Sequence, residues 1–216
     1  MGLVMESNAA FELRQKVAVY IDGFNLYYGI KSLNKARLKW LDVYLLAQNF
    51  MKPNMHLTSV NYFTSRIKGT KKEAILRQQV YLAALKVHSP ELFIEYGKFL
   101  SKDIKCPHCD CYSERFEEKR TDVNIACRML SDIYKNKMDT IILVSGDSDF
   151  YMPVKIAREL NKHVIVAMPP KRKSKDLENT ANNCFSINET MLRKALLPQT
   201  IQDSKGHKIT QPVHWT

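Results

Sequence analysis

Two short apolar runs in this chain each stop at carboxylates. Val17-Ala18-Val19-Tyr20-Ile21 ends at Asp22-Gly23. Ile141-Ile142-Leu143-Val144 ends at Ser145-Gly146-Asp147-Ser148-Asp149, which sets two acids two residues apart. A further acid, Asp122, opens a segment of helical spacing. Runs of this kind read as buried strands, and the outer end of a strand in an open α/β sheet is where ligands bind. Carboxylates gathered there repel one another unless a cation neutralises them. All-oxygen ligation suits Mg²⁺ or Mn²⁺. Such an ion would polarise a phosphoryl oxygen and generate hydroxide from water, the chemistry of a phosphodiesterase. Each acid also has a plainer reading. Asp-Gly after a strand is commonly a turn, Ser148 or Asp149 can cap the next helix, and Asp122 can complement a helix dipole. The coincidence of two independent strand ends carries the argument.

The elements that must position these acids alternate between strand and helix. After the first strand a short helix runs through Tyr28, and Trp40 to Met51 reads as a second helix, with Leu41, Tyr44, Leu45 and Gln48 at helical spacing. Ser59 to Thr64 reads as a strand, Lys71 to His88 as an amphipathic helix, and Leu92 to Tyr96 as a third strand. Residues 101–118 read as a polar, cysteine-bearing insert. Thr121 to Tyr134 is expected to be helical, with Val123, Ala126, Leu130 and Ile133 on one face and Thr121 as its N-cap. Met152, Val154, Ile156, Ala157 and Leu160 continue a helix beyond Asp149, and Pro153 suits its first turn. His163 to Ala167 is a fifth strand, Cys184 to Ile187 an edge strand, and Met191 to Leu196 a short helix. The pattern predicts an α/β fold of three layers, a mainly parallel sheet with helices on both faces. It divides the chain into a flexible leader (1–15), one domain (16–197) and a tail (198–216). In the tail, Thr200-Ile201-Gln202 and Lys208-Ile209-Thr210 read as a small hairpin.

Composition points to the class of partner. In 216 residues there are 33 basic and 22 acidic side chains, a formal charge of +11. That balance favours a polyanion such as nucleic acid, with a membrane surface second. No apolar run approaches the ~20 residues that span a bilayer, and the N-terminus lacks the features of a signal peptide. Five cysteines without secretion signals are expected in a reducing cytoplasm. A dimer would help to cover the sheet edges.

Basic residues fall where phosphate would pass. Arg66, Lys68, Lys71 and Lys72 follow the second strand, and Lys171, Arg172, Lys173 and Lys175 follow the fifth. Both groups should project from the sheet edge that carries the acids, as a phosphate track around a cut site. Lys119 is a further candidate for a phosphate contact, and Tyr27, Tyr28 and Phe150 offer faces for base stacking. The plainer readings are a solvated loop for the lysines, an offset to Glu117 and Glu118 for Lys119, and a core position for Phe150. Cys106-Pro107-His108-Cys109-Asp110-Cys111 contains a Cys-x-x-Cys, and Cys106, Cys109 and Cys111 are candidate zinc ligands. A closed structural zinc site needs four ligands, so the alternative is an exposed loop of oxidisable thiols. Cys127 and Cys184 read as core residues.

Three ordered motifs resemble one family. Val17-Ala18-Val19-Tyr20-Ile21-Asp22-Gly23-Phe24-Asn25-Leu26-Tyr27 is similar to the opening motif of the NYN domain, a branch of the PIN-like nucleases. Glu117-Glu118-Lys119-Arg120-Thr121-Asp122-Val123-Asn124-Ile125-Ala126 resembles that family's central helix, and Ser145-Gly146-Asp147-Ser148-Asp149-Phe150 its third motif. Arg77 to Leu85 and Tyr96-Gly97-Lys98-Phe99 resemble the LabA-like subgroup. The resemblance, from about Lys16 to Leu197, implies a PIN-like Rossmannoid sheet and metal-dependent RNA cleavage. It implies Asp22, Asp122 and Asp147 as metal ligands for Mg²⁺ or Mn²⁺, and Asp149 as a fourth catalytic acid. It also implies Asn25 as the residue that orients Asp22 or substrate, and Ser145 as a phosphate contact. One departure concerns turnover. Many relatives carry a second acid on the central helix six residues after the first, and here that residue is Arg128. Asp132 lies ten residues after Asp122, an offset that turns it away by roughly 80°. Two other readings follow, a binding or regulatory module with little catalysis, and a phosphatase using Asp22 as nucleophile. The second of these would want an acid where Phe24 stands.

Overall fold

The computed structural model describes residues 14–69, 72–105, 109 and 111–215. A six-stranded parallel sheet forms its centre: β1 (Gln15–Asp22), β2 (Met55–Thr64), β3 (Leu92–Tyr96), β6 (Thr140–Val144), β7 (His163–Met168) and β8 (Asn183–Ser186). The spatial order is β3-β2-β1-β6-β7-β8. The chain therefore moves outward from β1 on one side and returns to fill the other, so the order reverses between β1 and β6. That reversal opens a crevice at the carboxyl ends of these two strands.

The continuous apolar run of β1 is explained by burial on both faces. Val17, Val19 and Ile21 pack into one core, and Ala18 and Tyr20 into the other. The first core is completed by residues of α1 (Gly23–Lys31), α2 (Val43–Gln48) and α3 (Lys72–His88), and by the C-terminal segment. The second is completed by α4 (Thr121–Tyr134), α5 (Tyr151–Glu159) and α6 (Lys175–Thr180). Helices on both faces of a parallel sheet are the architecture the strand–helix alternation predicts.

Several details depart from the sequence reading. Trp40 to Met51 is not one helix. Trp40 is buried and its indole donates to the Pro198 carbonyl at 2.8 Å, while Leu41 bridges to Leu196. Asp42 then caps α2 by accepting from Tyr44 and Leu45 backbone N–H groups at 2.9 and 3.1 Å, which delays the helix to Val43. The expected insert at 101–118 is mostly an antiparallel pair, β4 (Lys98–Lys105) with β5 (Tyr112–Lys119). Thr121 is not the cap of α4. Arg120 holds that position in a left-handed conformation (φ 77°), and the Thr121 hydroxyl donates to Glu118. The last short helix, α7, runs Glu189–Arg193 rather than from Met191, because the Asn188 side chain accepts from the Met191 N–H at 3.0 Å. In the tail β9 (Thr200–Gln202) and β10 (Lys208–Thr210) pair antiparallel, and Ile201 and Trp215 return to the first core. Residues 1–13 of the expected leader lie outside the described residues, as does Lys71.

Candidate functional site

The carboxyl ends of β1 and β6, beside the crevice, are tied together by a chain of hydrogen bonds. Asp22, the last residue of β1, is buried (3 % exposed) and caps α1, its Oδ1 accepting from the Asn25 N–H at 3.0 Å. Its Oδ2 accepts from the Ser145 hydroxyl at 3.0 Å. Ser145 Oγ in turn accepts from the Asp147 N–H at 3.1 Å, and Asp147 Oδ1 accepts from the Asp149 N–H at 3.1 Å. Asn25 completes the clamp, its Oδ1 accepting from the Gly146 N–H at 3.0 Å. These bonds fix the ends of two adjacent parallel strands and orient Asp22. They also show Asp147 doing double duty, as cap of the turn Ser148–Phe150 and as a carboxylate at the crevice.

Asp122 reaches the same place from the first turn of α4. Burial pushes its carboxyl above the ordinary range, and the nearby Asp147 and Asp149 push it further. For Asp22, burial dominates and drives the pKa up to about 7, against hydrogen bonds from Asn25 and Ser145 that favour the charged form; Asp122 and Glu118 add to the rise. Acids from β1, α4 and the β6 turn therefore feel one another's charge.

Glu118 is the site residue that sequence reasoning passed over. It stands at the end of β5, accepts from the Thr121 hydroxyl, and its carboxyl is raised by burial and by Asp122. No signal along the chain marks it, since Tyr112-Ser113-Glu114-Arg115-Phe116-Glu117-Glu118-Lys119 lacks apolar–polar alternation and its place depends on β5. Gly97 makes this possible by close approach, since a Cβ there would lie 2.6 Å from Ser65 Oγ and 2.9 Å from the Lys119 carbonyl oxygen.

The basic candidates are distributed more widely. Arg66 lies over the Tyr96 ring at 4.9 Å, and Arg172 over Tyr28 at 5.7 Å. Lys171 adopts a left-handed conformation (φ 56°) and donates from Nζ to the Ser32 carbonyl at 3.2 Å, at the end of α1. Lys119 is exposed at the end of β5. Arg128 does not face the acids. Its Nε donates to Asp132 at 2.8 Å and its guanidinium covers the Phe93 ring at 4.6 Å. Asp132 is buried beneath Arg128, Lys137 and the Tyr20 hydroxyl, in a structural role. Cys109 and Cys111 are exposed, and Cys127 is exposed rather than in the core; Cys106 lies outside the described residues. Among the described residues, no three His, Cys, Asp or Glu side chains close around a point as metal ligands would.

Gly146 sets how closely the cationic loop approaches. A Cβ at this position would collide with the Arg172 carbonyl. Gly146→Ala is therefore predicted to displace the 171–174 loop and lower stability by about 1–3 kcal/mol, the usual cost of overpacking. Thermal melts of the two proteins check this, and an unchanged melting temperature would show that the loop yields freely.

The sequence pattern of the NYN domain matches residues 16–188. A 6-hydroxy-3-succinoylpyridine 3-monooxygenase of Pseudomonas putida is 25% identical over 93% of this chain and 75% of its own length. A crystal structure of a protein of unknown function from Vibrio parahaemolyticus superposes with a TM-score of 0.53 at 19% identity, covering 86% of this chain and 98% of that one. This second likeness concerns the fold.

Proposed function

The chain belongs to the NYN domain family, and from that premise we propose that it is a metal-dependent ribonuclease that cuts within RNA strands. Within the family we place it in the LabA-like branch, on Arg77 to Leu85 and Tyr96-Gly97-Lys98-Phe99, and in a reducing cytoplasm. The observation that carries the reading is the meeting of Asp22, Asp122, Asp147 and Asp149, from three separate elements, at the point where the strand order reverses. These side chains offer oxygen donors alone, the kind a hard divalent ion takes, and Asp22 and Asp122 are each raised by burial and by neighbouring acids. The carboxylates do not close around one point, so holding an ion requires them to draw together. Asp22, Asp122 and Asp147 would hold Mg²⁺ or Mn²⁺, with Glu118 and Asp149 beside them. When bound, the ion supplies Lewis-acid polarisation of the phosphoryl oxygen and a water of lowered pKa.

The protein's own contribution is positioning. Ser145 and the Asn25 N–H hold Asp22 in one orientation, and the Asn25 side-chain Oδ1 accepts from the Gly146 N–H at the start of the acidic turn. Burial excludes water from Asp22, which strengthens every charge interaction there. Arg66, Lys171 and Arg172 on loops and Lys119 at the end of β5 supply positive charge around this edge, where a phosphate backbone would run.

Two observations favour other readings. The other acid of α4, Asp132, is bound by Arg128, Lys137 and Tyr20 rather than joined to the site acids, which favours an RNA-binding module with weak turnover. RNA affinity measured in EDTA, set beside turnover with Mn²⁺, separates that module from a nuclease. The likeness to a monooxygenase favours oxygenation of a pyridine. Dioxygen uptake with 6-hydroxy-3-succinoylpyridine and an electron donor tests it.

A further inference from the structure

A cleft of about 460 Å³ opens beside the acids and plays no part in holding them. Gly23, the residue after Asp22, and Tyr62 lie on its wall, so the two sites adjoin. Its interior is aromatic. Tyr81 and Trp215 meet edge to face at 5.9 Å, and Tyr81 is held by a 2.7 Å hydrogen bond to the Leu41 carbonyl. Tyr27 adds a partly exposed ring at the rim. The cleft also carries Lys31, Lys39 and Arg77.

Lys31 lies over the Tyr28 ring at 5.7 Å, and the other two cations are poorly compensated. Among the described residues no carboxylate pairs with Lys39, and Arg77 makes only a 3.5 Å contact to the exposed Glu73. Burial lowers the Lys39 pKa, and the charges of Lys31 and Arg77 lower it further, so the three repel one another. A repulsive cationic trio on an aromatic cleft is relieved by an anion. A volume in the small-molecule range with a few convergent polar groups is the usual form of a ligand site.

We propose that this cleft binds a planar aromatic ring carrying an anionic group, with the ring against Tyr27, Tyr81 and Trp215 and the anion on Lys31, Lys39 and Arg77. Two sources share that chemistry, a nucleotide of an RNA strand and a free heteroaromatic acid. The site needs neither a metal nor cleavage, so it stands apart from the nuclease reading.

The test is titration of the full chain in EDTA with a nucleoside 5′-monophosphate, a pyridine carboxylate and inorganic phosphate. Calorimetry and tryptophan fluorescence report binding, since Trp215 lies in the cleft. Saturable binding of either aromatic anion is expected, with a dissociation constant below about 1 mM, and at least tenfold weaker in both Lys39→Met and Arg77→Met. The same affinity is expected in Asp147→Asn, whose loss of cleavage leaves the cleft intact, and in Lys155→Met on α5, on the other face of the sheet. Tighter binding of the monophosphate assigns the cleft to the RNA path, and tighter binding of the pyridine carboxylate assigns it to a small heteroaromatic acid. No saturation by either aromatic anion overturns the proposal. So does inorganic phosphate binding as tightly as both, or affinity unmoved in folded Lys39→Met and Arg77→Met proteins.

Discussion

Asp22→Asn is predicted to lower Mn²⁺- or Mg²⁺-dependent RNA cleavage by roughly 10²–10³-fold, the range for removing one preorganised electrostatic contact from a transition state. The same change is predicted to stabilise the metal-free protein at alkaline pH. An asparagine can keep both existing bonds, accepting from the Asn25 N–H and donating to Ser145. It removes the charge that burial opposes. The sign follows from the pKa of about 7 in the folded protein, against an ordinary aspartate value near ~4. A raised folded pKa contributes stability that is fully present below the unfolded value and is lost as pH rises through about 7. Melts in EDTA should therefore show the variant and the wild type matched near pH 4 and the variant more stable at pH 8. Adding Mn²⁺ should restore the wild type at pH 8 and leave the variant unmoved. A variant less stable than wild type at pH 8 in EDTA would mean that Asp22 serves the fold rather than the site.

The largest effect on stability is expected at Asp132. Its carboxylate is buried and accepts from Arg128 Nε at 2.8 Å, from Lys137 Nζ at 2.9 Å and from the Tyr20 hydroxyl at 3.1 Å. Truncation to alanine leaves the buried Tyr20 hydroxyl without that acceptor and removes the charge-assisted bonds from Arg128 and Lys137, which are themselves partly exposed, for a combined cost of about 3 kcal/mol. In a chain of this size the loss corresponds to a fall of roughly 10 °C in melting temperature. Burial raises the Asp132 pKa, but the bonds from Lys137, Arg128 and Tyr20 outweigh it and hold the carboxyl below its ordinary value. Its contribution is thus present above the unfolded pKa and disappears as pH falls through the folded one. The deficit of Asp132→Ala should be full at pH 7 and shrink toward pH 3. A deficit that does not change with pH would point to lost packing instead.

Much of the fold is legible because its signals are local. β1 and β6 are apolar runs too short for helices, ended by polar turns, and their parallel pairing follows from the helices between them. The switch between them brings Asp22 beside Ser145 and Asp147, which is why acids 125 residues apart in sequence meet. The misreadings share a different cause. Trp40 and Leu41 sit at helical spacing but are claimed by distant backbone, Pro198 and Leu196. Glu118 becomes a site residue only because β5 delivers it to Thr121 and Asp122, and nothing in its neighbours along the chain announces that. Lys171 illustrates the limit for charged loops. Its place after a strand was readable, but its reach back to the end of α1 depends on a left-handed backbone that sequence does not betray.

The most direct measurement is cleavage of a mixed RNA pool by purified wild type and Asp147→Asn, each with Mn²⁺, Mg²⁺ or EDTA. Fragments are expected from the wild type with a divalent ion, none in EDTA, and a loss of at least ~10²-fold in the variant. Cleavage at equal rates by both proteins, or intact RNA from a wild type that binds it under every condition, would contradict the assignment of the acid crevice as a nuclease centre.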